Sequence, residues 1–161
     1  MSRSTAIVSF IACLCIVSGC ATSHRTSTSR PIDRGTIRIP SGTGDRIARA
    51  ALDVLGTPYR YGGSNKEGFD CSGLVQYAHS QAGISIPRTT ATQFDTAKTV
   101  AKELQIGDVL FFRINGRISH NGIYLGDGHF IHAPSTGKNV SIARTDNAYF
   151  RERLAGVRRF H

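Results

Sequence analysis

The amino-acid sequence predicts an α+β domain in which N-terminal helices pack on an antiparallel sheet of about five to six strands. Three observations lead there. Apolar residues recur at helical spacing from Ile47 to Ala82. After Leu104 the pattern changes to short apolar or alternating runs, most of them separated by Gly, Asn or Asp. Gly126-Asp127-Gly128 between two such runs is a tight-turn signal that joins antiparallel neighbours. A parallel βαβ layout would instead alternate strands with helices along the chain.

The chain begins with an address. Arg3 supplies a positive start, and Ala6 to Val17 is apolar apart from Ser9. That stretch is shorter than the roughly 20 residues a membrane-spanning helix needs, so residues 1–19 read as an export signal. Residues 20–43 follow as a tether rich in Ser, Thr, Arg, Gly and Pro, with no apolar period over its first part. Within it Ile37 and Ile39 alternate with polar residues and predict a short edge strand. The domain proper is assigned to residues 44–161.

Ile47, Ala50, Ala51, Val54 and Leu55 define the first helix, which Gly56 and Pro58 end. Tyr59 to Gly68 is read as a glycine-bearing loop. A second helix is expected from Cys71 to about Ala82, with Leu74, Val75 and Ala78 on one face and Gly83 as its stop. Thr89 or Thr90 opens a shorter third helix carrying Phe94. Strands are expected over 109–112, 122–125, 129–133, 140–142 and 156–160.

Composition restricts the partners. Lys and Arg number 20 against 11 Asp and Glu, a net charge of +9. Loss of residues 1–19 removes Arg3 alone, leaving 19 basic side chains and +8. Such a charge suits anionic partners. The arginines are scattered and neither zinc-finger spacing nor an RNA-binding aromatic signature is found, so nucleic acid is not an expected partner. No cofactor is expected.

Four cysteines are present: Cys13, Cys15, Cys20 and Cys71. Only Cys71 falls in the domain, which excludes an internal disulfide or a four-thiolate metal site there. Asp70 is placed to cap the second helix, with Cys71 in its first turn. Unpaired backbone N–H groups at that end favour thiolate over thiol and can hold an oxyanion. Gly73 is read as room for a substrate backbone. The competing reading is a buried, inert cysteine. The glycine-rich approach, the helix end and the later histidines favour a nucleophile.

Of the six histidines, His24 lies in the tether, His161 ends the chain, and His79 sits about 12 Å along the helix from Cys71. His120 and His132 flank the Gly126-Asp127-Gly128 turn at positions that suit paired strands. One imidazole can then take the Cys71 proton and the other orient it. His129 competes with His132, because the two face opposite sides of a regular strand and a bulge would exchange them. His120, His132 and Cys71 are metal-ligand types, but no further acidic or thiol group completes a set, and no metal is assigned.

These residues resemble the NlpC/P60 family of papain-like cysteine peptidases. The matching stretches are Gly56-Thr57-Pro58-Tyr59-Arg60-Tyr61-Gly62-Gly63, Phe69-Asp70-Cys71-Ser72-Gly73-Leu74-Val75, Leu104 to Phe112 around Gly107-Asp108, His120 to Gly126, and Phe130-Ile131-His132-Ala133. The resemblance implies a papain-like NlpC/P60 fold and cleavage of peptidoglycan stem or cross-link peptides through a cysteine thioester. It implies Cys71 as nucleophile, His120 as base and His132 as orienter. Tyr59 falls in the oxyanion region, and Asp70 and Ser72 on the substrate-side pocket. For Asp70 and Ser72 the alternative is plain capping and turn duty, and for Tyr59 core packing.

Val17-Ser18-Gly19-Cys20 resembles a bacterial lipobox. By that likeness Cys20 becomes the lipidated first residue, and its acyl chains anchor the protein firmly in a membrane. Ala21, where an Asp would mark inner-membrane retention, implies the periplasmic face of the outer membrane. Together with the stretch from Ala148 to Phe160, the lipobox resembles the outer-membrane murein endopeptidase lipoproteins. That likeness favours D-Ala–meso-diaminopimelate over γ-D-Glu–meso-diaminopimelate as the bond cut, by a monomer. An acyltransferase or amidase of the same fold and a non-catalytic peptidoglycan-binding lipoprotein are the alternatives. Tyr61 in place of Trp, Asn121 in place of Val and Pro134 in place of Ser depart from the family pattern. They are expected to border the cleft and alter subsite preference.

Overall fold

The computed structural model describes residues 42–100 and 103–161. In chain order the elements are α1 (Thr43–Leu52), β1 (Ser64–Asn65), β2 (Gly68–Phe69), α2 (Cys71–Gln81), α3 (Thr90–Thr96), β3 (Lys98–Thr99), β4 (Val109–Ile114), β5 (Arg117–Gly126), β6 (His129–His132), β7 (Ser141–Arg144), α4 (Ala148–Arg151) and β8 (Leu154–Arg159). Six strands form one antiparallel sheet in the order β3-β8-β4-β5-β6-β7, and β1-β2 is a separate small ribbon. The α+β architecture of helices before an antiparallel sheet is thus the one the sequence predicts.

Local chemistry explains the helix ends. Asp70 is the N-cap of α2, its Oδ1 accepting from Gly73 N at 2.7 Å. Thr89 caps α3 by accepting from Thr92 N. Gly83, at φ +82°, ends the α2 region in the left-handed conformation that a side chain disfavours. Ile47, Ala48 and Ala51 of α1 and Leu74, Val75 and Ala78 of α2 are fully buried. They meet Val109, Phe111, Ile123, Leu125 and Ile131 in the main core.

Strand alternation then divides the sheet. Phe111 and Ile123 face the helices. Leu110, Phe112 and Phe130 form a second cluster on the opposite face, closed by Tyr124, Phe150 and Val157. Strand β5 is longer at its start than expected, reaching back to Arg117. A register shift between Phe112 and Arg113 sets Phe112 opposite His120 and Arg113 opposite Ile118, so Ser119 is the extra residue of a bulge.

Elements the sequence reading passed over are short: β1, β2, β3 and α4. Each has two to four residues, too few for a periodic signal. The expected strand around Ile37 and Ile39, the tether up to residue 41, the export signal and Cys20 lie outside the described residues; α1 begins at Thr43, one residue before the expected domain start at residue 44.

Candidate active site

Cys71 is the first residue of α2 and its thiol is free and half-buried. Its Sγ lies 3.6 Å from Thr90 Oγ1 and 3.7 Å from the carbonyl oxygen of Ser119, to which the S–H can donate. The thiol therefore lies against the β5 backbone at Ser119, the residue before His120. Strand β6 ends at His132, so this stretch of β5 has a free edge that the head of α2 can meet.

The His120 side chain packs against Phe112, on the same cluster as Phe130. Its Nε2 and His132 Nδ1 are 2.8 Å apart in one hydrogen bond, and the two rings are edge-to-face at 5.1 Å. Phe150 packs on both imidazoles, at 6.4 and 5.3 Å between centroids. His120 Nδ1 has no hydrogen-bond partner among the described residues, and no hydrogen bond joins it to Cys71. The hydrogen bonds of the thiol run instead to Thr90 and Ser119. Contacts between nucleophile and base commonly close only when substrate is bound.

The His129 question is answered by the register. His129 pairs with Gly126 on β5 and Arg144 on β7, and its Nε2 meets Arg144 Nη1 at 3.3 Å. His132 alone reaches His120. Gly122 makes room for it: a Cβ there would lie 2.7 Å from Ile131 O and 3.1 Å from His132 Cβ.

Both imidazoles are held neutral. Burial lowers the pKa of His120 to about 4. Burial and then the neighbouring His120 and Lys138 charges lower His132 to about 3. Burial raises the Cys71 thiol above its ordinary value, with Asp70 adding to the rise, while Thr90 and the Ser72 and Asn121 N–H groups oppose it. This corrects the expected lowered thiol pKa: loss of water outweighs the helix end. The resting pair is thiol and neutral imidazole. A protonated His120 needs Nε2 as donor, so His132 Nδ1 must accept, which leaves His120 Nδ1 as the atom that gains the proton.

Beside the thiol stands a charged cluster that sequence reasoning missed in part. Asp70 Oδ1 accepts from Gly73 N, from Ser72 Oγ at 3.2 Å and from Arg88 Nη1 at 2.9 Å. Asp70 Oδ2 accepts from Gly62 N at 3.0 Å and Arg88 Nη2 at 2.7 Å. Arg88 Nη1 also donates to Ser72 Oγ. Asp70 and Ser72 thus do cap and turn work and also hold an arginine at the cleft. Arg88 lies 18 residues from Asp70, and an arginine between Pro87 and the α3 cap carries no local signal of that partner. Tyr59 lies close enough to feel the thiol: burial raises its hydroxyl pKa first, then the charges of Cys71, Asp70 and Tyr61.

Two other expectations are corrected. Gly73 leaves no space for substrate, because a Cβ there would lie 2.0 Å from Gly63 O. Asn121 does not border the cleft. Its side chain is fully buried and donates from Nδ2 to Gln93 Oε1 at 2.6 Å. Gln93 Nε2 in turn donates to the carbonyls of Ser72 and Pro87. Tyr61, by contrast, is 90% exposed on the loop before Gly62. No group of three or more metal-ligating side chains is found among the described residues.

The model of the NlpC/P60 family matches residues 56–159. Murein DD-endopeptidase MepH of Escherichia coli is 43% identical over 115 residues, covering 67% of this chain and 42% of that protein. Gamma-DL-glutamyl hydrolase of Bacillus subtilis is 42% identical over 119 residues, covering 71% of this chain and 29% of that protein. The chain therefore spans less than half the length of these curated relatives. The crystal structure of an NlpC/P60 family protein from Bacillus cereus superposes with a TM-score of 0.70 at 34% identity, covering 77% of this chain and 42% of that one. The NlpC/p60 domain of the peptidoglycan hydrolase SagA superposes at 0.64 with 32% identity, covering 72% of this chain and 97% of that one.

Proposed function

This chain belongs to the NlpC/P60 family, and on that premise we propose that it is a cysteine endopeptidase of peptidoglycan with Cys71 as nucleophile, His120 as base and His132 as orienter. The observation that carries the reading is a free, half-buried thiol at the head of α2, bonded to the Ser119 carbonyl next to His120, whose ring is bonded to His132.

In this mechanism substrate binding draws the Cys71 S–H toward His120 Nδ1. The proton passes to Nδ1 as sulfur attacks the peptide carbonyl carbon, forming the C–S bond. The oxyanion is held by N–H groups at the head of α2 and by the Tyr59 hydroxyl. The C–N bond then breaks, and His120 returns its proton to the departing amine. Water, deprotonated by His120, cleaves the thioester and restores the thiol. Neutral imidazole in the resting state suits this sequence, since a base must be unprotonated before it acts. Asp70, Ser72 and Arg88 form the wall on the acyl side.

The bond favoured is D-Ala–meso-diaminopimelate in a cross-link. The name of MepH supports it, while the names of the gamma-DL-glutamyl hydrolase and of the Bacillus subtilis gamma-D-glutamyl-L-lysine dipeptidyl-peptidase, 35% identical, point those relatives to γ-glutamyl bonds. The lipobox at Cys20 supports a protein tethered by its lipid to the periplasmic face of the outer membrane.

Digestion of purified sacculi tests the reading. Wild-type protein should release fragments whose masses identify the bond, while Cys71→Ala and His120→Ala release none. Equal digestion by wild type and Cys71→Ala would overturn the cysteine mechanism. Radiolabelled palmitate incorporation that survives Cys20→Ala would overturn the anchor.

A further inference from the structure

Cys71 and His120 sit on different elements, and among the described residues no hydrogen bond joins their side chains. Their separation is therefore set by whatever ties α2 to β5 beside them. A buried amide pair does so. Gln93 of α3 donates from Nε2 to the carbonyl of Ser72, the residue after Cys71, at 3.1 Å, and to the carbonyl of Pro87 at 2.8 Å. Its Oε1 accepts from Nδ2 of Asn121, the residue after His120, at 2.6 Å. Both amide side chains are fully buried. Thr90, one turn earlier on α3, touches the thiol itself. Helices α2 and α3 and strand β5 thus meet at one buried point next to the sulfur.

The polarity of this link is fixed. Both N–H bonds of the Gln93 amide are spent on carbonyls, so turning the amide over would set its oxygen against two oxygens. Oε1 must therefore face β5, and Asn121 must present its amide nitrogen. That orientation leaves Asn121 Oδ1 buried with no hydrogen-bond partner among the described residues. A buried acceptor without a partner is destabilising, and a branched apolar side chain such as valine would fill the position without one. What the asparagine keeps in return is the bond that ties the residue after the base to the residue after the nucleophile.

We propose that Asn121, acting through Gln93 and the Ser72 carbonyl, is a positioning residue that holds the His120 segment of β5 at its working distance from Cys71. The inference rests on the peptidase reading and adds to it a side chain that touches neither substrate nor the reacting atoms. Loss of the Asn121–Gln93 bond frees β5 from α3 beside the thiol, so the effect falls on the chemical step and not on binding. Asn121→Val removes the bond. Asn121→Asp keeps the shape and makes the bond conditional. A protonated carboxyl there donates to Gln93 Oε1, a carboxylate repels it, and burial holds such a carboxyl protonated above its ordinary range.

The test measures cleavage of a cross-linked peptidoglycan peptide by the full chain. Asn121→Val should lower kcat by about 10- to 100-fold with KM within about twofold of wild type. Asn121→Asp should match Asn121→Val at alkaline pH and recover toward wild type as pH falls. The wild-type profile, which carries the titrations of Cys71 and His120, should lack that recovery. Leu125→Ala opens the main core on the same strand; it should lower Tm at least as far as Asn121→Val yet leave kcat within about twofold. The proposal is overturned by a kcat within about twofold of wild type in Asn121→Val, by an Asn121→Asp profile parallel to wild type, or by an equal loss of kcat in Leu125→Ala. Alkylation of Cys71 across pH needs no turnover. Burial raises this thiol, so loosening its surroundings in Asn121→Val should move the midpoint down by about half a pH unit or more. If wild type cuts no peptide the endopeptidase reading falls, and the alkylation midpoint then decides the role of Asn121, an unmoved midpoint overturning it.

Discussion

Gly73→Ala separates a structural from a substrate-facing role for this residue. It is the third residue of α2, and its amide donates to the Asp70 cap. On helix propensity alone, alanine in place of glycine should stabilise α2 by up to about 1 kcal/mol. The tertiary structure reverses that sign. The new Cβ would sit 2.0 Å from Gly63 O and 3.0 Å from Asp70 Oδ1. The first neighbour is backbone, pinned because Gly63 O also accepts from Asp70 N at 3.0 Å. Reaching an ordinary contact of about 3.4 Å moves the head of α2 or the Gly62-Gly63 loop by more than 1 Å, at a cost of roughly 1–3 kcal/mol. Cys71 lies two residues away on the same turn, and a displacement of that size at a nucleophile lowers the rate by about 100-fold. The assay pairs thermal unfolding with peptide cleavage. We expect a Tm several degrees lower and a loss carried by kcat. An unchanged or raised Tm with a higher KM alone would refute the close-packing argument and restore Gly73 as a substrate contact.

Asp70→Ala removes the α2 cap and strands Arg88, so denaturant unfolding should show a loss of about 2–4 kcal/mol, and a loss under 1 kcal/mol would contradict the cluster's role. Alkylation of Cys71 should be slow at pH 7 and climb into the alkaline range, because burial raises the thiol pKa; a rate plateau already reached near neutrality would show a resting thiolate–imidazolium pair instead. Acid should destabilise the fold: His79, His120 and His132 have folded pKa values lowered to about 4, 4 and 3 from 6.5, so only the unfolded chain takes up their protons between pH 6.5 and 4. Stability contributed by their neutral state is complete above pH 6.5 and falls with acidification, with a slope on the order of 4 kcal/mol per pH unit for three rings. His79→Leu should remove about a third of that slope, and a flat stability curve across this window would refute the assignment.

The nucleophile's setting was legible because its signals are local. Asp70 caps within three residues of Gly73, and Gly83 stops the helix two residues after its last turn. The apolar period of α1 and α2 and the hairpin at Gly126 to Gly128 likewise need only neighbouring residues to be read. His120 and His132 could be placed on adjacent strands, but their order of preference over His129 waited on a register that bulges set. Arg88 and Thr90 reach Cys71 and Asp70 across the turn between two helices, and nothing within their own segment marks that contact.

By itself the sequence determined the elements, the lone thiol at a helix head and the pair of strands that carry the histidines, since hydrophobic period, capping and turn chemistry act over a few residues. Tertiary structure decided what those groups experience. Packing withdrew water from Cys71 and turned an expected thiolate into a thiol. Backbone approach at Gly63 converted Gly73 from open space into a contact. The bulge at Ser119 and the glycine at 122 brought His132 onto His120. Desolvation and register depend on which distant segments fold over a residue, and that arrangement is a property of the whole domain.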